Sequence, residues 1–314
     1  MAARFFKKRD DFVTPISIEI LEKYQIRKTK KQKTAFIEFM RAHYPDLKVE
    51  TDALGYSRNI VIGNPNTAKA VFGAHYDTQA VMPFPNFIMP KSLTVSILYA
   101  FVLIIPMFIL AGFVGKAAAL IFNDPGMVSF FTLLTYWALL FLMIFGPANK
   151  HTVNDNTSGV ITLIEMMSAM TPEERAQSCF VFFDNEEKGL LGSSTFNKEH
   201  KETMKEKLLI NFDCVSDGDY LMLIPDKKSF PEQEENLKTS FADVSDKTVL
   251  IESAKFVYYP SDQKNFRKNI GVAAFKKSKL GLYMDKIHTP KDTVMDERNI
   301  EALVSGFRNF LSML

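Results

Sequence analysis

The hydrophobic residues of this chain fall into three patterns. Two unbroken apolar runs, 93–115 and 127–147, contain no charged residue. Short apolar blocks recur elsewhere, at 59–62, 68–73, 178–183, 207–212, 220–224, 248–251 and 271–275. Their length, β-branched and aromatic content and turn-rich flanks predict strands. The block Ser-Cys-Phe-Val-Phe-Phe at 178–183 does not alternate, as expected of a strand buried on both faces. Helical spacing marks the third pattern. Residues 29–45 place Phe36, Phe39, Met40 and His43 on one face. Residues 158–170 form a second helix, and a third, capped by Asp296, carries Ile300, Leu303, Val304, Phe307 and Leu311. The polar stretch 225–247 reads as loop with a short helix. Strands alternating with helices predict an α/β domain with a mixed, mostly parallel central sheet flanked by helices.

Each long apolar run can cross a hydrocarbon core of about 30 Å. Lys116 and Asn123-Asp124-Pro125-Gly126 mark a connector between them, so the pair reads as a transmembrane helical hairpin inserted into the domain. The partition is 1–92 for the first part of the catalytic domain, 93–147 for the insert and 148–314 for the second part. A hairpin returns the chain to the side it left, so both parts share one compartment. Met1–Asp10 is basic, but no apolar segment of a secretory signal follows it. The expectation is an integral membrane protein with a cytoplasmic catalytic domain and the lipid bilayer as a partner. The basic clusters Phe5–Arg9 and Arg27–Lys33 read as solvated faces, with contact to anionic lipid as the alternative.

The formal charge of +2 gives no reason to expect nucleic acid as a partner. Two cysteines, Cys179 and Cys214, are too few for a disulfide scaffold in 314 residues. Both sit in or beside strand blocks and read as small buried hydrophobes. His43, His151 and His200 read as helix-face or surface residues.

The remaining histidines belong to short acidic motifs: Ala74-His75-Tyr76-Asp77, Asn154-Asp155-Asn156, Asp184-Asn185-Glu186-Glu187, Asn211-Phe212-Asp213 and Ile287-His288-Thr289. Most follow a strand block, and ligand sites of α/β sheets lie beyond the carboxyl ends of strands. If the motifs converge, carboxylates about 4 Å apart repel by roughly 4 kcal/mol per pair at an effective dielectric near 20. Divalent cations remove that cost. Mixed histidine and carboxylate ligation suits zinc, with cobalt or manganese possible. Two histidines and three carboxylates can hold two ions if one carboxylate bridges. Such a pair polarises a carbonyl and activates water, leaving one glutamate as general base.

The five motifs, in this order, resemble zinc peptidase family 28, the group of bacterial leucyl aminopeptidases, glutamate carboxypeptidases and glutaminyl cyclases. The match runs through Ala74–Thr78, Asn154–Gly159, Glu186–Ser193, Asp213 and His288–Thr293. The resemblance implies that His75 and Asp213 bind one zinc, Glu187 and His288 the other, and Asp155 both. It makes Asp77 the residue that orients His75, and Glu186 the general base. Ser261-Asp262 fits a further loop of the family, but Gln263 stands where many members have histidine. Ile287 replaces a tyrosine that can stabilise the oxyanion, a task open to Tyr283, to a backbone donor or to the metals. The implied activity is a membrane-anchored di-zinc aminopeptidase acting on peptides. Carboxypeptidase, amidohydrolase or glutaminyl cyclase activity on the same scaffold stays open, as does a non-catalytic membrane binding module. Because the insert leaves after Asp77 and returns before Asp155, the catalytic mouth is expected close to the bilayer surface.

Overall fold

The computed structural model describes residues 12–82, 84–244 and 247–314. The Phe5–Arg9 cluster lies outside them. Helices α1 (Pro15–Lys23) and α2 (Lys30–His43) precede β1 (Lys48–Thr51), β2 (Arg58–Gly63) and β3 (Ala70–His75). Then come α3 (Leu93–Phe122), α4 (Met127–Phe145), α5 (Ser158–Ala169), α6 (Pro172–Ala176), β4 (Ser178–Phe183), α7 (Leu191–Glu199), α8 (Lys201–Met204) and β5 (Leu208–Phe212). The chain continues through β6 (Tyr220–Pro225), α9 (Phe230–Ser240), β7 (Thr248–Ile251), β8 (Lys268–Ser278) and β9 (Gly281–Tyr283) to α10 (Glu297–Met313).

The sheet order is β1-β2-β4-β3-β5-β8-β6-β7, with β9 paired to β8. The central run β4-β3-β5-β8 is parallel, whereas β2 and β6 run against it. This is the mixed, mostly parallel sheet that the sequence predicts. Every residue of β3, β4 and β5 is buried, because helices cover both faces. Alternation sorts the side chains: Phe72, Phe180 and Phe182 point to the larger core with Phe36, Ile164 and Phe307. Val71, Cys179, Val181 and Phe183 point the other way, toward Phe196 and Phe266. Gly159 lets α5 close over β5, since a Cβ there would lie 2.5 Å from the Phe212 carbonyl oxygen.

The two long apolar runs form antiparallel α3 and α4. Helix α3 does not stop at Gly115 as predicted. Lys116-Ala-Ala-Ala-Leu-Ile-Phe122 contains only helix-compatible residues, and the helix continues to Asn123, which caps it at φ 52°. Its 30 residues span about 45 Å, against about 28 Å for the 19 of α4. A Cβ on Gly115 would lie 2.2 Å from Thr132 Oγ1, so the two helices approach closely there. Beyond that seam they are bare: α4 buries none of its residues, and α3 buries only Ala111, Gly115 and Ala118. Both are long and apolar enough to cross a membrane.

Candidate metal centre

The parallel strands deliver the motifs to one end of the sheet. His75 is the last residue of β3, Asp213 follows β5, and Glu186 and Glu187 lie just past β4. Asp155 sits in the turn that opens α5, and His288 lies in the loop after β9. The two asparagines around Asp155 tie this turn to its neighbours. Asn154 Oδ1 accepts from the Ser216 and Asp217 N–H groups at 2.7 and 3.0 Å. Asn156 donates to the Phe212 carbonyl at 2.9 Å and accepts from Cys214 N–H at 3.1 Å. The Asp155–Asn156 peptide is cis.

Asp155 has one oxygen for each histidine. Its Oδ1 lies 3.3 Å from His75 Nε2, and its Oδ2 lies 2.8 Å from His288 Nε2. Asp213 Oδ1 is 3.5 Å from His75 Nε2, and Glu187 Oε1 is 3.4 Å from His288 Nε2. Donors held tetrahedrally around one zinc, with arms of about 2.0–2.2 Å, stand about 3.3–3.6 Å apart. Three of the four separations fall in that range. Glu187 Oε2 accepts from Gln79 at 3.0 Å, while its Oε1 is buried without a hydrogen-bond partner. An orphaned carboxylate oxygen beside two imidazoles is what a divalent cation would satisfy. The residues fit a metal.

Asp77 serves three neighbours. Its backbone oxygen lies 3.1 Å from His75 Nδ1, nearer than its carboxylate at 3.6 Å, which fixes the ring and leaves Nε2 facing the centre. The carboxylate instead accepts from the Glu186 and Glu187 N–H groups at 2.9 and 3.3 Å. Asp292 plays the matching part for the bridging residue, accepting from Asn154 and Asp155 N–H at 2.7 and 3.0 Å.

Electrostatics follow from burial and crowding. Burial would raise the Asp155 carboxyl, but His288 and His75 hold it well below the usual range. Burial, then the charges of Glu187, Asp262 and Asp213, push Glu186 well above an ordinary glutamate despite His75. Asp262, fully buried with both oxygens unpartnered, is raised to about 7 chiefly by burial. Burial and the Asp155 charge raise Asp292 to about 8.

The Arg27–Lys33 cluster is a solvated face only in part: Lys30 and Lys31 are exposed, whereas the end residues Arg27 and Lys33 are buried. Arg27 is fully buried and donates to the Tyr24 and Tyr76 carbonyls and to Thr157 Oγ1 at 3.1 Å. It thereby joins the loop after β3 to the start of α5. Burial lowers its pKa to about 10, so it stays charged near neutrality. Lys33 is buried against Asp184 and, at 2.7 Å, Asn185 Oδ1, next to Glu186. Sequence gives only a weak signal for either, because charge alone reads as solvent exposure.

A cleft of about 230 Å³ opens over the cluster, lined by His75, Asp155, Glu186, Glu187, Asp213 and His288. Its walls include Asn86, Ile88, Cys214, Tyr259, Pro260 and Ile287. Tyr283 is not among them, since it stacks on Phe87 at 5.7 Å. The tyrosine at the cleft is Tyr259, whose hydroxyl donates to the Asp213 carbonyl at 3.2 Å. Of the three unassigned histidines, His43 is exposed and His151 is half-buried. His200 pairs with Glu50 at 2.9 Å.

A buried histidine and carboxylate cluster at the carboxyl edge of such a sheet defines a zinc-dependent hydrolase fold. The model of Peptidase family M28 matches residues 142–311, and the chain belongs to that family. That match takes in four of the five motifs and leaves Ala74–Asp77 to the structure. Among solved structures, glutaminyl cyclase of Porphyromonas gingivalis is 15% identical with a TM-score of 0.59, over 96% of this chain and 99% of that one. A Zn-dependent exopeptidase of Parabacteroides distasonis is 14% identical at 0.53, over 98% and 99%. The LapA aminopeptidase of Legionella pneumophila is 15% identical at 0.50, over 98% and 75%. Such identities speak for the fold alone. No curated protein matches the chain.

Proposed function

We propose that this protein is a di-zinc aminopeptidase anchored in a membrane by its helical hairpin. The observation that carries the metal count is Asp155, whose two oxygens face different histidines. His75, Asp213 and Asp155 would hold one ion, and His288, Glu187 and Asp155 the other; cobalt or manganese could replace zinc. When bound, the ions supply Lewis acidity, polarising the scissile carbonyl and acidifying the attacking water. Glu186 acts as the base. Its backbone is fixed by Asp77, and its carboxylate faces the cleft, within reach of the attacking water. It takes the water's proton and delivers it to the departing amide nitrogen. Ile88, Tyr259, Pro260 and Ile287 make much of the cleft wall apolar.

Short peptides with free amino termini should lose their first residue, and N-acetylated versions should resist. Chromatography of the products checks this. Faster cleavage of blocked peptides would shift the reading to carboxypeptidase or amidase chemistry. Cyclisation of an N-terminal glutamine without chain cleavage would shift it to a glutaminyl cyclase.

The bare apolar surfaces of α3 and α4 support the anchor. Lys28, Lys91 and Lys150 lie at the base of the hairpin, and Lys28 Nζ bonds the Ile144 carbonyl at 2.5 Å. Lys116 is the single basic residue toward the tip, a charge bias that supports a cytoplasmic catalytic domain. The cleft wall runs straight into the anchor. Asn86, 3.2 Å from His288 Nδ1, and Ile88 lie a few residues before α3, and Tyr99 of α3 bonds the Pro85 carbonyl. Substrates held at the membrane surface would therefore meet the mouth directly. Single cysteines at Asp124, in the hairpin turn, and at Ser312 test the arrangement. Asp124→Cys should label in intact cells and Ser312→Cys only after permeabilisation. Equal labelling of both, or recovery of the protein in the soluble fraction, would refute it.

A further inference from the structure

The cleft contains one more donor than the family motifs supply. Cys214 follows Asp213 off the end of β5, where strand alternation would send it to the opposite face. It does not continue the strand. Its φ is 57°, its N–H bonds Asn156 Oδ1 at 3.1 Å, and its carbonyl accepts from Ala274 N–H at 2.9 Å. In this pose Sγ lies 3.1 Å from Asp213 Oδ1, the oxygen that also faces His75. The Cys214 sulfur and oxygens of Asp155 and Asp213 lie within 4.8 Å of one another, all buried. A packing role alone would set the thiol among hydrocarbon, as Cys179 is set between β3 and the second core. Cys214 touches Met222 and Phe275 on one side but turns its sulfur to carboxylates.

A second observation points to a cation in the same cleft. Glu187 Oε1 has no hydrogen-bond partner although its side chain is only 8% exposed. Glu187, His75 and Asp155 also bring ligand atoms within 4.8 Å of one another. The cleft therefore holds a buried carboxylate oxygen without a hydrogen-bond partner and a thiol that is already in place.

We propose that Cys214 is a sulfur ligand to the ion held by His75, Asp155 and Asp213. The proposal rests on the two-ion reading above. One ion with arms of about 2.1 Å to oxygen and 2.3 Å to sulfur reaches both Asp213 Oδ1 and Cys214 Sγ once a tetrahedral angle opens their separation from 3.1 Å to about 3.6 Å. Binding converts the thiol to a thiolate and releases its proton to solvent. Two consequences follow. A thiolate favours zinc, cobalt or cadmium over manganese or magnesium at this position. Four protein donors also close the first ion's shell, so the open coordination position falls on the His288 and Glu187 side.

Zinc-edge X-ray absorption on the full-length zinc-loaded protein tests this without any substitution. The expected result is about one sulfur for every two zinc ions, at about 2.3 Å. In the cobalt-loaded protein a near-ultraviolet sulfur-to-cobalt charge-transfer band should appear. It should vanish in Cys214→Ser and Cys214→Ala and persist in Cys179→Ser, with two cobalt ions still bound in each. A shell of nitrogen and oxygen only, or a band that survives both Cys214 substitutions, overturns the proposal. Wild-type protein that binds two ions without sulfur defeats this inference alone. Wild-type protein that binds none defeats the two-ion reading with it.

Discussion

Glu186→Gln is expected to lower kcat by a factor on the order of 10² to 10⁴, the usual size of general-base catalysis, while the bound metal stays unchanged. The reason is positional. The Glu186 N–H is anchored on Asp77 Oδ1 at 2.9 Å, and its side chain reaches the cleft without being one of the donors paired with either histidine. Glutamine keeps the shape and the anchor but cannot accept a proton. The adjacent residue should behave in the opposite way. Glu187→Ala removes the buried oxygen that faces His288, so it should lose metal as well as activity. Elemental analysis alongside steady-state kinetics separates the two outcomes. Near-normal turnover in Glu186→Gln would show that the base lies elsewhere.

The parallel core was legible because burial on both faces leaves a distinctive mark. Ser178–Phe183 and Leu208–Phe212 contain no charged residue, and their short length and β-branched or aromatic content favour interior strands. Edges were harder to see. Strand β1, Lys48–Thr51, is partly exposed and reads as polar chain. Helix α1 has nine residues and buries only Ser17, Ile20 and Leu21, too short a pattern to stand out. Its cap was nonetheless present in the chain, as Thr14 before Pro15. The hairpin boundary went wrong for a different reason. Lys116 reads as a break in hydrophobicity, yet a charged residue does not end a helix, and the Ala-rich segment after it sustains one.

At the site, the residues named from the motifs converge because their motifs sit at strand ends, where the fold itself brings them together. What the sequence hid is the support beneath them. Arg27 and Lys33 look like a surface cluster with Lys28, Lys30 and Lys31, and only tertiary structure shows which two turn inward to unpaired carbonyls and to Asp184. Asp292 stands within the His288–Thr293 match, but its grip on the Asn154 and Asp155 N–H groups crosses 138 and 137 residues of chain and has no local signature. Tyr283 seemed the nearer stand-in for a missing tyrosine at Ile287. The β8–β9 pairing places it on Phe87, and the loop before Ser261 brings Tyr259 instead.

Zinc should stabilise this protein increasingly as pH rises from 6 to 8. Without metal, burial would lower His75, but Glu186, Asp155, Asp213 and Asp77 outweigh it and hold the imidazole well above its ordinary value. Glu187 and Asp155 do the same for His288. Protonated, the two rings neutralise the carboxylates around them. A folded pKa raised above the unfolded value near 6.5 contributes stability that is complete below 6.5 and is lost as pH climbs through the folded value. Asp262 and Asp292, raised to about 7 and about 8, act with the same sign. The fold retains their protons after the unfolded chain has released them, so stability falls between pH 4 and 8. Asp155 runs the other way, but its depressed pKa acts only below about pH 4. The metal-free fold thus weakens toward alkaline pH. Zinc reverses the balance, because it needs both imidazoles neutral and competes with their protons. Displacing the two imidazole protons alone tightens binding by up to about a hundredfold per pH unit, worth up to about 2.7 kcal/mol of added stability at fixed free zinc. Thermal unfolding with zinc and with chelator, at pH 6, 7 and 8, reads the effect as a gap in Tm that widens with pH. A gap that stays constant or narrows would mean that His75 and His288 do not give up protons to a metal.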